Sequence, residues 1–290
     1  MTLATPVTAE AAAAPPVTEF AFGRADFDRV RALIHARAGI ALHEGKQAMV
    51  YSRVSRRLRE TGHRSFAEYL QWLESGHDAS RDAEWQQFVN CLTTNLTAFF
   101  REPHHFDALA ADLASMAAAA GGRPLRLWCN AASTGEEPYS IAMVLHETLG
   151  PACDARLLAT DIDTVVLQTA QRGVYAAGAR GLSEARLKRH FLRGTGRRDG
   201  FIRVRPELAR RVEFRPFNLV AADWRFEAPF DIVFCRNVMI YFDLPTQMQV
   251  LRRLHGVMRP GALLYAGHSE NFVEAASLFR LRGKTVYERL

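Results

Sequence analysis

Residues 125–150, LRLWCNAASTGEEPYSIAMVLHETLG, constrain the fold more than any other part of the chain. The apolar run around Leu125, Leu127 and Trp128 suits a strand buried on both faces. Ala131, Ala132, Ser133 and Gly135 follow, small residues that let a ligand approach the backbone. Pro138 suits a first helical turn, and Ile141, Leu145 and Leu149 recur at helical spacing. Strand, tight loop and helix in this order form the corner from which a doubly wound parallel sheet builds a nucleotide site. An ordinary strand-turn-helix corner without a ligand is the competing reading.

The rest of the chain divides around that corner. Residues 1–18 are rich in Ala, Pro and Thr, with no Lys or Arg before Arg24. That composition predicts a disordered tail and not a signal peptide. From Phe20 to about Asn95 only helical patterns occur. Phe27, Val30, Leu33 and Ile34 share one face, and helices are expected over Gln47–Glu60, Ser65–Leu73 and Trp85–Leu92, with Ser65 and Glu68 as a capping box. After Arg123, strands expected at 125–129, 156–160, 211–215, 231–235 and 262–266 alternate with helices, and a hairpin closes the chain from Phe279 to Leu290. Between Tyr175 and Arg215 the rhythm breaks into a short helix over Leu187–Phe191 and a glycine-punctuated hairpin. The expected organisation is a tail at 1–18, a small all-helical domain at 19–95 and an α/β domain at 96–290 that carries a small β-insert at about 188–215.

Composition narrows the function classes. Cys91, Cys129, Cys153 and Cys235 are widely spaced without a C-x-x-C, so neither a disulfide framework nor a metal site is expected. No apolar run is long enough to span a bilayer, so a cytoplasmic protein without membrane insertion is expected. The net charge of +6 points to an acidic partner. Part of that charge has a pattern. At about 100° per residue, Lys46, Arg53, Arg56 and Arg57 fall on one stripe of the helix over 46–60, with Arg59 just beyond it. A docking surface and a solvated charged face both fit this stripe.

The candidate site residues cluster around the nucleotide corner. The loop lacks the G-x-G-x-x-G fingerprint and places Glu136 and Glu137 where a pyrophosphate would otherwise sit. Carboxylates there repel phosphate and favour a cation, which points to S-adenosylmethionine, a nucleoside with an ammonium and a sulfonium. Asp161, at the end of the second strand, is placed to accept hydrogen bonds from ribose hydroxyls, whereas Asp163 suits a helix N-cap. Arg236, Asn237 and Tyr241 leave the carboxyl end of the strand DIVFC, and Asn218 follows another strand, the positions where open α/β sheets hold ligands. For Arg236 the competing reading is a pair with a surface acid. Between the two parts of the chain, Thr93 to Glu102 mixes polar residues with Phe99 and Phe100, the composition of a segment folded over a pocket and not of a free linker.

These segments together resemble the chemotaxis receptor methyltransferases, the CheR-type protein-glutamate O-methyltransferases. The resemblance rests on LTTNLTAFFREPHHF at 92–106, AASTGEEPYSIAM at 131–143, ATDIDT at 159–164, FNL at 217–219, CRNVMIYFD at 235–243 and GHSE at 267–270, and covers about residues 20 to 290. It implies a helical N-terminal domain, a class I methyltransferase domain with a mostly parallel doubly wound sheet, and a small β-subdomain insert. It further implies that S-adenosylmethionine contacts Asn95, Thr97, Arg101, Glu136, Asp161, Asn218, Leu219, Asn237 and Val238, with Arg101 and Tyr241 facing the transferring methyl. The implied partner is the cytoplasmic domain of a methyl-accepting chemoreceptor, docked on Lys46, Arg53, Arg56, Arg57 and Arg59. A short peptide at the receptor's C-terminus would be tethered by Arg193, Gly194, Gly196, Gly200 and Arg203. A monomer that binds no nucleic acid is expected. A nucleic-acid methyltransferase would need a basic groove with interleaved aromatics, which the chain lacks. A non-catalytic nucleoside-binding module would not need Arg101, Glu136, Asp161 and Tyr241 together.

Overall fold

The structure, a computed structural model, describes residues 19–76 and 78–290; the expected tail at 1–18 lies outside the described residues. Four helices come first: α1 (Arg24–Ala38), α2 (Gln47–Thr61), α3 (Phe66–Glu74) and α4 (Ala79–Leu92). Their apolar faces meet in one core built around Phe27, Ile34, Val54, Phe66, Tyr69 and Phe88. Half of the predicted capping box at α3 forms: Ser65 Oγ accepts from Glu68 N, but Glu68 Oε2 accepts from Arg64 N, one residue before the N-cap, and not from Ser65 N. Helix α4 starts ahead of the expected Trp85 because Asp78 caps it, accepting from Ser80 N and Arg81 N. Its first turn is polar, so hydrophobic periodicity does not report it.

Next comes α5 (His104–Ala119), a helix the sequence reading did not place, followed by β1 (Leu125–Cys129), α6 (Glu136–Leu149), β2 (Ala155–Asp161) and α7 (Thr164–Arg172). An interruption contains β3 (Val174–Ala176), α8 (Glu184–His190), β4 (Phe191–Arg193), β5 (Phe201–Val204) and α9 (Pro206–Ala209). The chain then returns through β6 (Val212–Pro216), β7 (Phe230–Cys235), α10 (Leu244–Val257), β8 (Met258–Ala266), β9 (Phe279–Gly283) and β10 (Val286–Arg289).

The large sheet has the order β6-β2-β1-β7-β8-β10-β9. Its first five strands are parallel, and the closing hairpin is antiparallel. This is the class I methyltransferase arrangement that the sequence implies. Both faces are covered, which is why β1 and β7 read as continuous apolar runs. On one face Leu127, Cys129 and Phe234 pack against Leu109, Leu113 and Ile141; on the other, Trp128, Val233 and Leu264 pack against Val250, Leu251 and Leu254. The small sheet has the order β3-β5-β4. It begins at Val174, well before the expected start near 188, and Val212–Pro216 belongs to the large sheet and not to the insert. A three-residue strand such as β3 carries too little pattern to be read in advance.

The chain order reverses between β1 and β7, which opens a crevice beyond their carboxyl ends. The helical part closes over it. Ala41 N donates to Tyr241 O at 2.8 Å, Ile40 bridges Phe242, and Asn218 Nδ2 donates to Arg37 O at 2.8 Å. His35 and Asp243 add an exposed contact at 2.9 Å.

Candidate functional site

The crevice is a cleft of about 330 Å³, within the range of small-molecule sites. Its floor is the loop after β1, with Ala131, Ser133 and Asp161; its walls are Phe217–Leu219 on one side and Arg236–Val238 with Tyr241 on the other. The helical part contributes Ala38, Leu42, His43, Lys46 and Met49, and residues 93–97 with Arg101 lie across the front. Gly135 makes the floor possible. Its φ is +100°, and a Cβ there would lie 2.6 Å from Tyr175 Oη and 2.9 Å from Ala170 Cβ, so only glycine permits this turn into α6.

Asp161 organises the floor. One carboxylate oxygen accepts from Ser133 N at 2.8 Å and the other from Asp163 N at 2.9 Å. Burial pushes its carboxyl up to about 6, against the pull of those backbone N–H groups. Asp163 caps α7 through Val165 N and Val166 N, the N-cap role its position suggests. Its second oxygen accepts from Thr93 Oγ1 at 2.7 Å and from Asn95 Nδ2 at 2.8 Å. The 93–97 segment is thereby fastened to the sheet, and Ser133 Oγ donates to Asn95 O. The Asn95 and Asn218 side chains both serve as ties between elements, and both residues line the cleft.

Behind the opposite wall lies a buried ion cluster. Arg236 is 3% exposed. Its guanidinium pairs with Glu137, reaches Glu102 at 3.2 Å and donates to Arg101 O at 2.5 Å. Burial opposes these charges, yet Glu137 and Glu102 hold the Arg236 guanidinium protonated, and Arg236 in turn holds the Glu102 carboxyl below its ordinary value. Arg236 therefore pairs with buried acids and not with a surface acid. Its place straight after a six-residue buried strand puts it among the expected ligand-side residues, and it does line the cleft, but its guanidinium is spent on this cluster.

Glu270 is the second device behind that wall. It is 3% exposed. Its Oε1 accepts from Val238 N at 2.9 Å and Met239 N at 2.8 Å; its Oε2 accepts from Asn237 N at 2.9 Å and Gly267 N at 2.5 Å. Four backbone donors on one carboxylate fix the turn that carries Asn237, Val238 and Tyr241 (φ of Asn237 is +56°). Glu102, His104 and His105 also bring ligand-type atoms within 4.8 Å of one another. Arg236 already occupies Glu102, and His105 Nε2 faces Lys284 O at 2.9 Å, so the group is spent on packing.

Several expected site residues stand elsewhere. Glu136 does not line the cleft. It borders a neighbouring groove with Thr97, Phe99 and Arg101, where Thr134 Oγ1 donates to it at 2.6 Å and burial pushes its carboxyl up. On α2 the basic stripe splits. Arg53 Nη1 donates to Cys91 O and Thr93 O at 3.2 and 2.6 Å, which caps the carboxyl end of α4. Arg57, 13% exposed, donates to both oxygens of buried Glu84, and Oε1 also accepts from Tyr69 Oη. These two arginines hold the helical core together. Arg56 and Arg59 remain outward, each in an exposed pair, and Lys46 lies before α2 in a 3₁₀ turn at the cleft mouth. In the insert, Arg193 lies opposite Ile202 and Arg203 opposite Leu192, so the two arginines face opposite sides of the small sheet. Gly196 and Gly200 have φ of +58° and +83°. A Cβ on Gly194 would lie 1.9 Å from Arg198 O, so the turn needs all three glycines. Strand β4 is an outer strand of the small sheet.

Comparison with known proteins decides what this arrangement belongs to. The family described as CheR methyltransferase, SAM binding domain, matches residues 95–287, and the family described as CheR methyltransferase, all-alpha domain, matches residues 25–93. The chain belongs to the CheR methyltransferase family. A chemotaxis protein methyltransferase of Klebsiella aerogenes is 52% identical over 267 residues, covering 91% of this chain and 89% of the relative. One from Escherichia coli K12 is 51% identical over 269 residues, covering 92% and 91%. Chemotaxis protein methyltransferase 2 of Pseudomonas aeruginosa is 52% identical over 271 residues, covering 93% and 94%. In this CheR chain the two family regions meet at the cleft.

The donor set fits S-adenosylmethionine. Asp161 presents a buried carboxylate at a strand end, suited to paired hydroxyls, while Phe217 and Leu219 supply an apolar wall for a base. The cation in the cleft wall, Arg236, is already neutralised by two acids. Among the described residues, no helix is long and apolar enough to cross a membrane.

Proposed function

We propose that this chain transfers the methyl group of S-adenosylmethionine to glutamate carboxylates on the cytoplasmic helices of a chemoreceptor, giving glutamyl methyl esters. The observation that carries this reading is the match of both CheR family regions to the two parts of the chain whose junction is the cleft. S-Adenosylmethionine supplies an electrophilic methyl on a sulfonium. A glutamate side chain is already ionised near neutral pH, so no residue need act as a base. The protein's task is orientation, in which a correctly held pair gains most of its rate from position. Asp161, Asn95, Thr97, Asn218, Leu219, Asn237 and Val238 form the donor side of the cleft. Arg101, with one guanidinium nitrogen held by Leu96 O at 2.9 Å, directs the incoming carboxylate, and Tyr241 positions it through its hydroxyl. Incubation with methyl-labelled donor and a receptor cytoplasmic fragment tests the whole reading. Base-labile label on receptor glutamates is expected; label on RNA alone would replace it with a nucleic-acid activity.

The raised Asp161 carboxyl gives a pH signature. The folded protein holds this proton up to about pH 6, so burying the charged form costs stability above that pH. Ribose hydroxyls that donate to Asp161 favour the charged form, and donor affinity should therefore rise with pH through this range. Calorimetry with S-adenosylhomocysteine should show affinity falling several-fold from about pH 7 to about pH 5, with no such fall in Asp161→Asn, which should itself bind more weakly by about 1–3 kcal/mol. A pH-independent affinity in the native chain would remove Asp161 from the donor site.

The receptor side rests on charge. Arg56 and Arg59 project from α2, and Lys46 stands at the cleft mouth, a suitable array for an acidic helix. Arg56→Glu/Arg59→Glu breaks only exposed pairs, which contribute little to stability. This variant should slow receptor methylation, flatten the salt dependence of the rate and leave S-adenosylhomocysteine affinity unchanged. Normal receptor methylation at low salt would leave the stripe a solvated face. Arg57→Glu, by contrast, places a second acid against buried Glu84 and should unfold the helical part. The open edge of β4 suits backbone pairing with an extended receptor C-terminal peptide, with Arg193 on the edge strand and Arg203 on the other face of the central strand. Saturable binding of that peptide to the whole enzyme is the test, and its absence would remove the tether but not the methylation.

A further inference from the structure

We propose that the sheet face at the amino ends of β1, β2 and β6 is a binding site for a small anion carrying adjacent phosphate groups. Here a groove of about 410 Å³ is lined by six arginines and two glutamates. Arg126, Arg156 and Arg211 stand at the strand ends away from the methyl-transfer cleft, and Arg215, in register with Thr160, reaches the groove from nearer the carboxyl end of β6.

The arrangement of the arginines is unusual for a solvated surface. Arg126 on β1 lies directly opposite Arg156 on β2 in the parallel ladder. Val212 lies opposite Leu157, so Arg211, the residue before it, extends the row toward β6. Like charges directly opposite one another on neighbouring strands are destabilising. Among the described residues, no close ion pair offsets them. The adjacent carboxylate, Asp231, is 4% exposed and already shared by Arg123 at 2.7 Å, Arg259 at 3.3 Å and the backbone N–H of Arg126 at 2.9 Å. Glu213 and Glu227 also line the groove, yet among the described residues neither they nor any other carboxylate comes within 4.0 Å of a side-chain nitrogen of Arg126, Arg156 or Arg215. Arg211 is spent on the carbonyls of Pro151 and Cys153, and Arg225 on Asp223 at 2.6 Å.

The groove exists because the crossover from β6 to β7, residues 217–229, contains no helix. In its place Phe226 and Phe230 form one wall. The Arg126 guanidinium carbon is 5.5 Å from the Phe230 ring centre and that of Arg215 is 5.8 Å from the Phe226 ring centre. These rings hold the guanidinium planes and leave their edges to a ligand.

Charge and geometry of the donors select the ligand. Two guanidinium forks with no carboxylate partner stand side by side on neighbouring strands, and such forks bind phosphate oxygens two at a time. A molecule with adjacent phosphoryl groups offers both forks acceptors at once. A volume near 410 Å³ suits a molecule of nucleotide size more than a helix or a folded partner.

Inorganic pyrophosphate is the probe. At constant ionic strength, calorimetry on the full chain should give saturable binding with a Kd below a millimolar. Arg126→Gln/Arg156→Gln should weaken it by about tenfold or more, the worth of one charge-assisted hydrogen bond. Arg156→Gln/Arg215→Gln, two exposed positions whose loss leaves the core untouched, should do the same. S-Adenosylhomocysteine affinity should stay unchanged in both variants, which reports an intact fold. Failure of native protein to bind S-adenosylhomocysteine would count against the methyltransferase reading and not against this site. Non-saturable pyrophosphate binding, equal pyrophosphate affinity in both variants, or tighter binding of a glutamate-rich peptide than of pyrophosphate would each overturn the phosphate assignment.

Discussion

Arg236→Met should cost the protein about 3–5 kcal/mol, the penalty for stripping one partner from a buried ion cluster. Met fills much the same volume, so packing is not the cause. The cause is Glu137, which is 7% exposed and left as an uncompensated buried charge, together with Glu102 beside it. For a domain of this size such a loss lowers Tm by roughly 10 °C. The pH dependence identifies the mechanism. Arg236 holds the Glu102 carboxyl below its ordinary value. A depressed carboxyl contributes stability above its unfolded pKa, and that contribution is lost as pH falls through the folded value. The gap between native protein and variant should therefore narrow in acid, where the orphaned carboxylates take up protons. Arg236→Met/Glu137→Gln should recover part of the loss, since it removes one of the two stranded charges. A thermal scan across pH checks both points, and a gap that stays constant into acid would mean that the guanidinium is not paired as described. Methyl transfer should fall along with stability, because Arg101 O loses the donor that fixes the backbone of the cleft's front segment.

The parts of this fold that were legible from sequence are those where a single residue pattern decides. Runs such as LRLWC and DIVFC can only be buried strands, and they occupy Leu125–Cys129 and Phe230–Cys235. The small-residue loop and the acid after β2 converge on one cleft because strand ends in a parallel sheet converge. What was not legible depends on partners distant in sequence. Helix α5 is dominated by alanine, and only Phe106, Leu109 and Leu113 mark its buried face among large apolar residues, too few for a periodicity. Arg53 and Arg57 lie on a charged arc of α2, and periodicity alone cannot tell a solvated arc from one that meets another helix. Their partners, Glu84 and the carbonyls of Cys91 and Thr93, come from α4. Glu136 and Glu137 are neighbours on one helical turn and diverge by about 100°; one turns into the cleft toward Arg236 and the other into the adjacent groove. The docking of the 38–49 segment over the cleft has no local signal at all, since it is made by backbone contacts such as Ala41 N to Tyr241 O.

Glu270→Gln should impair the enzyme more than its distance from the reacting groups suggests. The carboxylate is the sole feature drawing Gly267 N, Asn237 N, Val238 N and Met239 N to one point. An amide retains one acceptor oxygen, and whichever way it turns, its NH₂ opposes two backbone N–H groups. Two buried donors are then unmade, at about 1–3 kcal/mol each. The turn relieves this by moving, and it carries Asn237 and Val238 on the donor side and Tyr241 at the transfer point. Donor affinity should weaken by about tenfold and kcat should fall further, by about a hundredfold, since 2.7 kcal/mol of lost orientation suffices for that. Glu270→Asp, one methylene shorter, keeps the charge but cannot reach all four donors, and should fall between the two. Burial already pushes the Glu270 carboxyl up against the pull of the four N–H groups, so acid should damage the native enzyme in the same direction as the Gln variant. A purely structural role predicts a different result: a lower Tm with unchanged donor affinity and kcat in the folded protein well below that Tm. Measuring S-adenosylhomocysteine affinity and single-turnover methyl transfer at low temperature separates the two, and unchanged values there would reduce Glu270 to a packing residue.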